Sequence, residues 1–151
     1  MLPLILMNLT LPSPVSAADK LATETALLAS LELKPGQLKP LALDTALVTN
    51  GKPAAVLCHA DVSAWREAAG VIQAAIKDAT GVELPLLTDA QLTPEQADAQ
   101  HVILLGHLDN NRHVARLYHN FFDCLDVGYT GRKGYEIRSV HDPFGRGHNY
   151  L

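Results

Sequence analysis

Apolar positions along this chain recur with two different periods, and the period changes wherever glycine, proline or asparagine interrupts it. Residues 43–49, then Asn50-Gly51, then Ala54-Ala55-Val56-Leu57-Cys58-His59 read as two strands joined by a two-residue hairpin turn. Lys52-Pro53 follows that turn, and proline donates no backbone N–H, so the second strand is expected to start late and on a sheet edge. Val62, Trp65, Ala69, Ile72, Ile76 and Ala79 then recur at helical spacing, with Asp61 suited to the N-cap and Gly81 to the stop.

Leu84-Pro85-Leu86-Leu87 reads as a short strand, and Thr93-Pro94-Glu95-Gln96 as a helical turn capped by Thr93. His101-Val102-Ile103-Leu104-Leu105 is apolar almost throughout, which predicts a central strand, and Gly106 ends it. Asp109 suits the cap of a second long helix with Val114, Leu117, Tyr118 and Phe121 on one stripe. After Gly128, Gly131 and Gly134, the alternation in residues 135–140 predicts another strand, and a Pro/Gly turn leads into Asn149-Tyr150-Leu151. Hairpins interleaved with helices give an α/β (α+β) domain, a mixed β-sheet packed with two main helices. The final strand begins just as the sequence stops, so residues 43–151 read as a domain truncated at its C-terminal end.

Ahead of this domain, residues 2–11 form an apolar run too short to span a bilayer, where about 20 residues are needed. With Val15-Ser16-Ala17 as a small-residue cleavage site, residues 1–17 read as a signal peptide. It is atypical, because no Lys or Arg precedes Lys20. Residues 18–42 read as a leader helix and linker, broken by Lys34-Pro35-Gly36. The expected location is periplasmic or extracellular.

Charge narrows the partners: 12 basic and 16 acidic residues are scattered without a Lys/Arg block, which argues against nucleic acid and membrane surfaces. Cys58 and Cys124 lack metal-ligand spacing and read either as one disulfide or as two thiols. His107, His113 and His119 are six apart, a rotation of about 240° on a helix, so they share no face. His141, Asp142, His148 and His59 could meet in space around zinc, but ordinary hydrogen bonds of turn and surface histidines are the favoured reading. Asp123 with Asp126, and Glu136 with Asp142, are neighbouring carboxylates outside any catalytic motif. No catalytic, cofactor-binding or metal-binding residue is assigned, and no cofactor is expected.

The run Val102-Ile103-Leu104-Leu105-Gly106, the start Asp109-Asn110-Asn111-Arg112, the strand Gly134-Tyr135-Glu136-Ile137-Arg138 with its His141-Asp142-Pro143 turn, and Asn149-Tyr150-Leu151 together carry a resemblance. They resemble the small α/β domain that precedes the catalytic domain in bacterial β-hexosaminidases and α-glucuronidases, domain 2 in the former. The resemblance covers residues 43–151 and extends to domains preceding heparinase-type lyases. It implies a non-catalytic accessory domain of an exported glycoside hydrolase or polysaccharide lyase, whose partner is a downstream catalytic domain of the same polypeptide. A stand-alone carbohydrate-binding module is the alternative, with a polysaccharide as partner and Tyr129, Tyr135, Phe144 and Tyr150 as candidate saccharide contacts. Few rings would remain for such a platform if Phe121, Phe122 and Trp65 belong to the core.

Overall fold

The computed structural model describes Ala26, residues 44–126, Gly128, Gly131 and residues 134–151. Two compact units divide the chain, Met1–Pro40 and Leu41–Leu151, and every element below belongs to the second. The expected signal peptide lies outside the described residues, as does the leader helix and linker apart from Ala26, which is helical.

Asn50 and Gly51 adopt φ of 52° and 70°, the left-handed values that a two-residue hairpin turn requires. They join β1 (Val48–Thr49) to β2 (Lys52–Pro53), with Val48 opposite Pro53 and Thr49 opposite Lys52. The hairpin is shorter than its sequence suggests. Ala54 N–H still donates to the Leu47 carbonyl at 2.9 Å, but the next residues leave to form β3 (Ala55–His59) in another sheet. The edge position expected for this run is thereby corrected, for a physical reason: all five residues of β3 are buried. A strand apolar on both faces needs a neighbour on each side and cover above and below.

β4 (Leu86–Thr88) and β5 (His101–Leu105) supply those neighbours, in a parallel sheet ordered β4-β3-β5. The covering helices are α1 (Ser63–Thr80), the short α2 (Pro94–Asp98) and α3 (Arg112–His119). The chain steps from β3 out to β4, then returns past β3 to β5, and right-handed crossovers in opposite directions place helices on opposite faces. The side chains follow that division. Ala55 and Leu57 pack with Trp65, Ala69, Ile72 and Ile76 of α1, whereas Val56 and Cys58 pack with Leu92, Ala97, Leu117 and Tyr150. Past β5 the sheet extends by two bridges, Val102 with Tyr150 in parallel and Val140 with Tyr150 antiparallel. The protein is an α/β domain with both parallel and antiparallel pairing.

Capping explains the helix boundaries, with two corrections. Gly81 stops α1 at φ 74°, its N–H donating to the Lys77 carbonyl at 2.7 Å. Thr93 and Gln96 form the reciprocal capping box of α2. Asp61, however, does not cap α1; Val62 occupies that position and Asp61 pairs instead with Arg66 at 2.9 Å. Asn111, not Asp109, caps α3, accepting from His113 N at 3.0 Å and Val114 N at 3.4 Å. α3 ends at His119, and Phe121 beyond it has φ 60° and is 87% exposed, so it does not extend the apolar stripe. In residues 135–140, where a strand was expected, Val140 alone is bridged.

Candidate docking groove

β5 ends in a backbone that only glycine suits. Gly106 has φ 147°, and a Cβ there would lie 2.8 Å from both Asn110 Oδ1 and Asn111 Cβ. The chain folds back tightly at this point: Asn110 Oδ1 accepts from His107 N at 2.8 Å, and Asn111 N donates to the His107 carbonyl at 3.0 Å. Asn111 also sends Nδ2 to the Leu105 carbonyl at 3.1 Å while its Oδ1 caps α3. One buried asparagine therefore ties the end of β5 to the start of the next helix and holds residues 106–109 on a rim.

That rim borders a groove of about 810 Å³. Trp65, Ala68 and Ile72 of α1 contribute one side, Val114 and Leu117 of α3 another, and Leu104, Leu105 and Leu151 the floor between them. Tyr135 and Ile137 stand at the far lip, 80% and 87% exposed. The charged groups around it are Asp109, Asp123, Asp126, Glu136 and Arg138. Arg138 pairs with Asp123 at 3.1 Å and Glu136 at 3.4 Å, so the lip is partly neutralised from within.

The opposite end of Tyr150 is anchored in a polar knot. Its hydroxyl donates to Asp98 Oδ1 at 2.8 Å, and both Asp98 oxygens accept from Arg116, at 2.6 and 2.8 Å. The guanidinium lies 3.5 Å over the Phe144 ring, which meets Tyr150 and Phe122 edge-on. Arg116 holds the Asp98 carboxyl below the usual carboxylate range, and burial raises the Tyr150 phenol.

Of the candidate saccharide contacts, Tyr129 lies outside the described residues, and the others do not form a row. Tyr150 is only 2% exposed, because its ring packs into the core cluster with Val56, Cys58 and Leu117 and meets Phe144 edge-on, so it presents no free face. Phe144 packs against that core, and only Tyr135 presents an open ring. Phe121 and Phe122, expected in the core, are exposed, whereas Trp65 is half-buried against the α1 cluster.

The carboxylates suggested by proximity serve their own loops. Asp123 Oδ1 accepts from Leu125 N, Asp126 Oδ1 from Gly128 N, and Asp142 Oδ1 from Arg146 N and Gly147 N. His101 and His148 meet edge-on at 5.2 Å, and His113 is buried with Nε2 on the Leu92 carbonyl at 2.9 Å. Among the described residues no three His, Cys, Asp or Glu side chains are grouped so as to hold a metal ion. Burial pushes the Cys58 thiol up to about 12, so the sulfur stays protonated at neutral pH. Both cysteines are free thiols, Cys58 buried and Cys124 exposed.

Sequence reasoning missed the groove itself. Its signal was present in Trp65, Ala68 and Ile72, spaced by three and four along one helix face, but that pattern marks core and groove alike. Among the described residues no helix is long and apolar enough to cross a membrane. No family model, curated protein or solved structure matches the chain.

Proposed function

We propose that this chain is a non-catalytic accessory domain of an exported glycoside hydrolase or polysaccharide lyase, similar to domain 2 of β-hexosaminidases, and that it packs through its groove on a downstream catalytic domain. The observation carrying this reading is the groove, with Tyr135 and Ile137 almost fully open at its lip. Contiguous exposed apolar surface of this kind marks an interaction site. The residues behind the resemblance also support it through their jobs: Gly106 and Asn111 turn β5 into α3, and Asn149–Leu151 flank β5. Gly106 and Leu151 line the groove, and Asn111 holds its rim in place.

The test has two arms. The 151-residue chain should show no turnover of aryl glycosides or uronic-acid polymers. In the polypeptide encoded by the whole gene, Ile137→Asp should lower the melting temperature of the catalytic domain while leaving its turnover per folded molecule intact. Turnover by the 151-residue chain that disappears on replacing one carboxylate would overturn the reading, as would an Ile137→Asp variant that melts like the parent.

A further inference from the structure

Asn149 is fully buried, and its polar groups tie separate parts of the chain together. Its carbonyl accepts from Val102 N–H of β5 at 3.0 Å, and its Nδ2 donates to Thr45 Oγ1, ahead of β1, at 2.8 Å. Its Oδ1 accepts from Asp142 N–H at 2.9 Å, while Asp142 Oδ1 accepts from Arg146 N–H and Gly147 N–H. Residues 142–149 thus form a turn closed on itself, with Asn149 fastening it to the sheet. The Asn149 N–H completes that fastening, donating at 2.9 Å to Nδ1 of His101, the first residue of β5.

An imidazole nitrogen accepts a hydrogen bond only through its free lone pair, and imidazolium is a donor at both nitrogens. Neutral His101 therefore keeps its proton on Nε2, and neither orientation of a protonated ring can receive Asn149 N–H. Its main chain is held in place meanwhile, because His101 N–H donates to the Ala54 carbonyl. His113 differs: its Nε2 meets the Leu92 carbonyl, a bond that imidazolium keeps. His107 Nδ1 does accept a backbone N–H, from Asp109 at 3.2 Å, but both residues are exposed and water can replace that bond. Among the described residues the titratable group meeting the His101 ring is His148, edge-on at 5.2 Å. Beyond it, Glu95 and Asp98 of α2 and Arg146 border the cleft that His148 lines. Burial and the His148 ring both hold His101 below the ordinary imidazole range, so the ring is neutral and the bond intact at pH 7.

We infer that His101 is a proton-operated latch: protonation at Nδ1 breaks the bond from Asn149 N–H and frees the turn 142–149 from β5, while the sheet β4-β3-β5 stays folded. A second charge on His148 would add repulsion across the ring contact. Tyr150 limits the opening, since its phenol stays on Asp98, whose carboxyl Arg116 keeps ionised at pH 5. The latch is separate from docking through the groove and holds whether or not a partner binds there.

Nuclear magnetic resonance of this chain reads both the ring tautomer and the exchange of single amides. At pH 8 His101 should carry its proton on Nε2. As the pH falls, protection of the Asn149 amide relative to an unstructured peptide should drop in step with His101 titration. The loss should reach up to about tenfold per pH unit, as for one linked proton, while Leu57 N–H stays protected. His101→Asn puts a non-titrating oxygen near the place of Nδ1 and should keep Asn149 protected at pH 5, whereas His148→Asn should still open. A proton on Nδ1 at pH 8, Asn149 protection unchanged down to pH 5, or equal acid loss at Asn149 and Leu57 would each overturn the latch. So would an acid loss that His148→Asn abolishes and His101→Asn retains.

Discussion

Tyr150 and Asp98 are 52 residues apart in sequence and joined by a 2.8 Å hydrogen bond from the phenol to the carboxylate. Through that bond the strand beside β5 is fastened to the end of α2, and through Arg116 to α3. Tyr150→Phe keeps the ring and deletes the bond, so it should cost about 1.5–3 kcal/mol, the range for hydrogen bonds to charged groups. Urea unfolding of the two forms measures this; an unchanged midpoint would mean that the knot does not contribute to stability.

Acidification should destabilise the domain in two windows. Burial holds the His113 ring below the ordinary imidazole range, with its bond to the Leu92 carbonyl acting in opposition. Below about pH 6.5 the unfolded chain therefore takes up a proton that the folded chain refuses, and stability falls with pH. Asp98 is depressed by Arg116, so its contribution is complete above about pH 3.9 and is lost as the pH drops through its lower folded value. His113→Gln should shrink the first window, leaving the share that comes from the His101 ring, which burial also holds below the ordinary imidazole range, and should leave the second unchanged. A parent protein equally stable at pH 7 and pH 5 would contradict this assignment.

Gly106→Ala should be severely disruptive for a single methyl group. Its φ of 147° is strained for any L side chain, and the new Cβ would meet Asn110 and Asn111 at 2.8 Å and Ala60 at 3.3 Å. A loss of about 2–4 kcal/mol is expected from strain and steric overlap together. Gly70→Ala, with nothing within 4 Å of its added Cβ, is the control and should be neutral or slightly stabilising. Equal melting temperatures for the two variants would refute the close-approach argument.

The two thiols should separate cleanly in reactivity. Cys124 is exposed, whereas Cys58 is buried with a thiol raised to about 12. Iodoacetamide at pH 8 should modify one cysteine per native chain and two after denaturation, since the thiolate is the nucleophile. Rapid native modification of both would show that β3 opens far more readily than a fully buried central strand should.

Where the sequence was informative, the determinants were local. Asn50-Gly51, Thr93 with Gln96, and Gly81 act through turns and caps a few residues long, and all three appear as expected. Pairing was not legible, because Ala54-Ala55-Val56-Leu57-Cys58-His59 is equally compatible with a hairpin arm and with the centre of a parallel sheet. Partners 29 and 46 residues away decide between them, as Leu57 with Leu86 and Ala55 with His101 show. Side-chain competition misled the caps: Asp109 and Asn111 are both cap-forming types, and Asn111 prevails because its amide also reaches the Leu105 carbonyl. The groove escaped notice because it is bounded by segments distant in sequence, while Tyr150, grouped with exposed rings, is packed into the core beside Val56, Cys58 and Leu117.

Docking through the groove is tested most directly by amide exchange, comparing this chain alone with the same chain mixed with the catalytic domain proposed as its partner, added as a separate protein. Residues 104–108 and 134–139 should exchange rapidly in the chain alone and slowly in the mixture, while the amides of β3 stay protected in both. Equal exchange at the groove in the two samples would contradict the account.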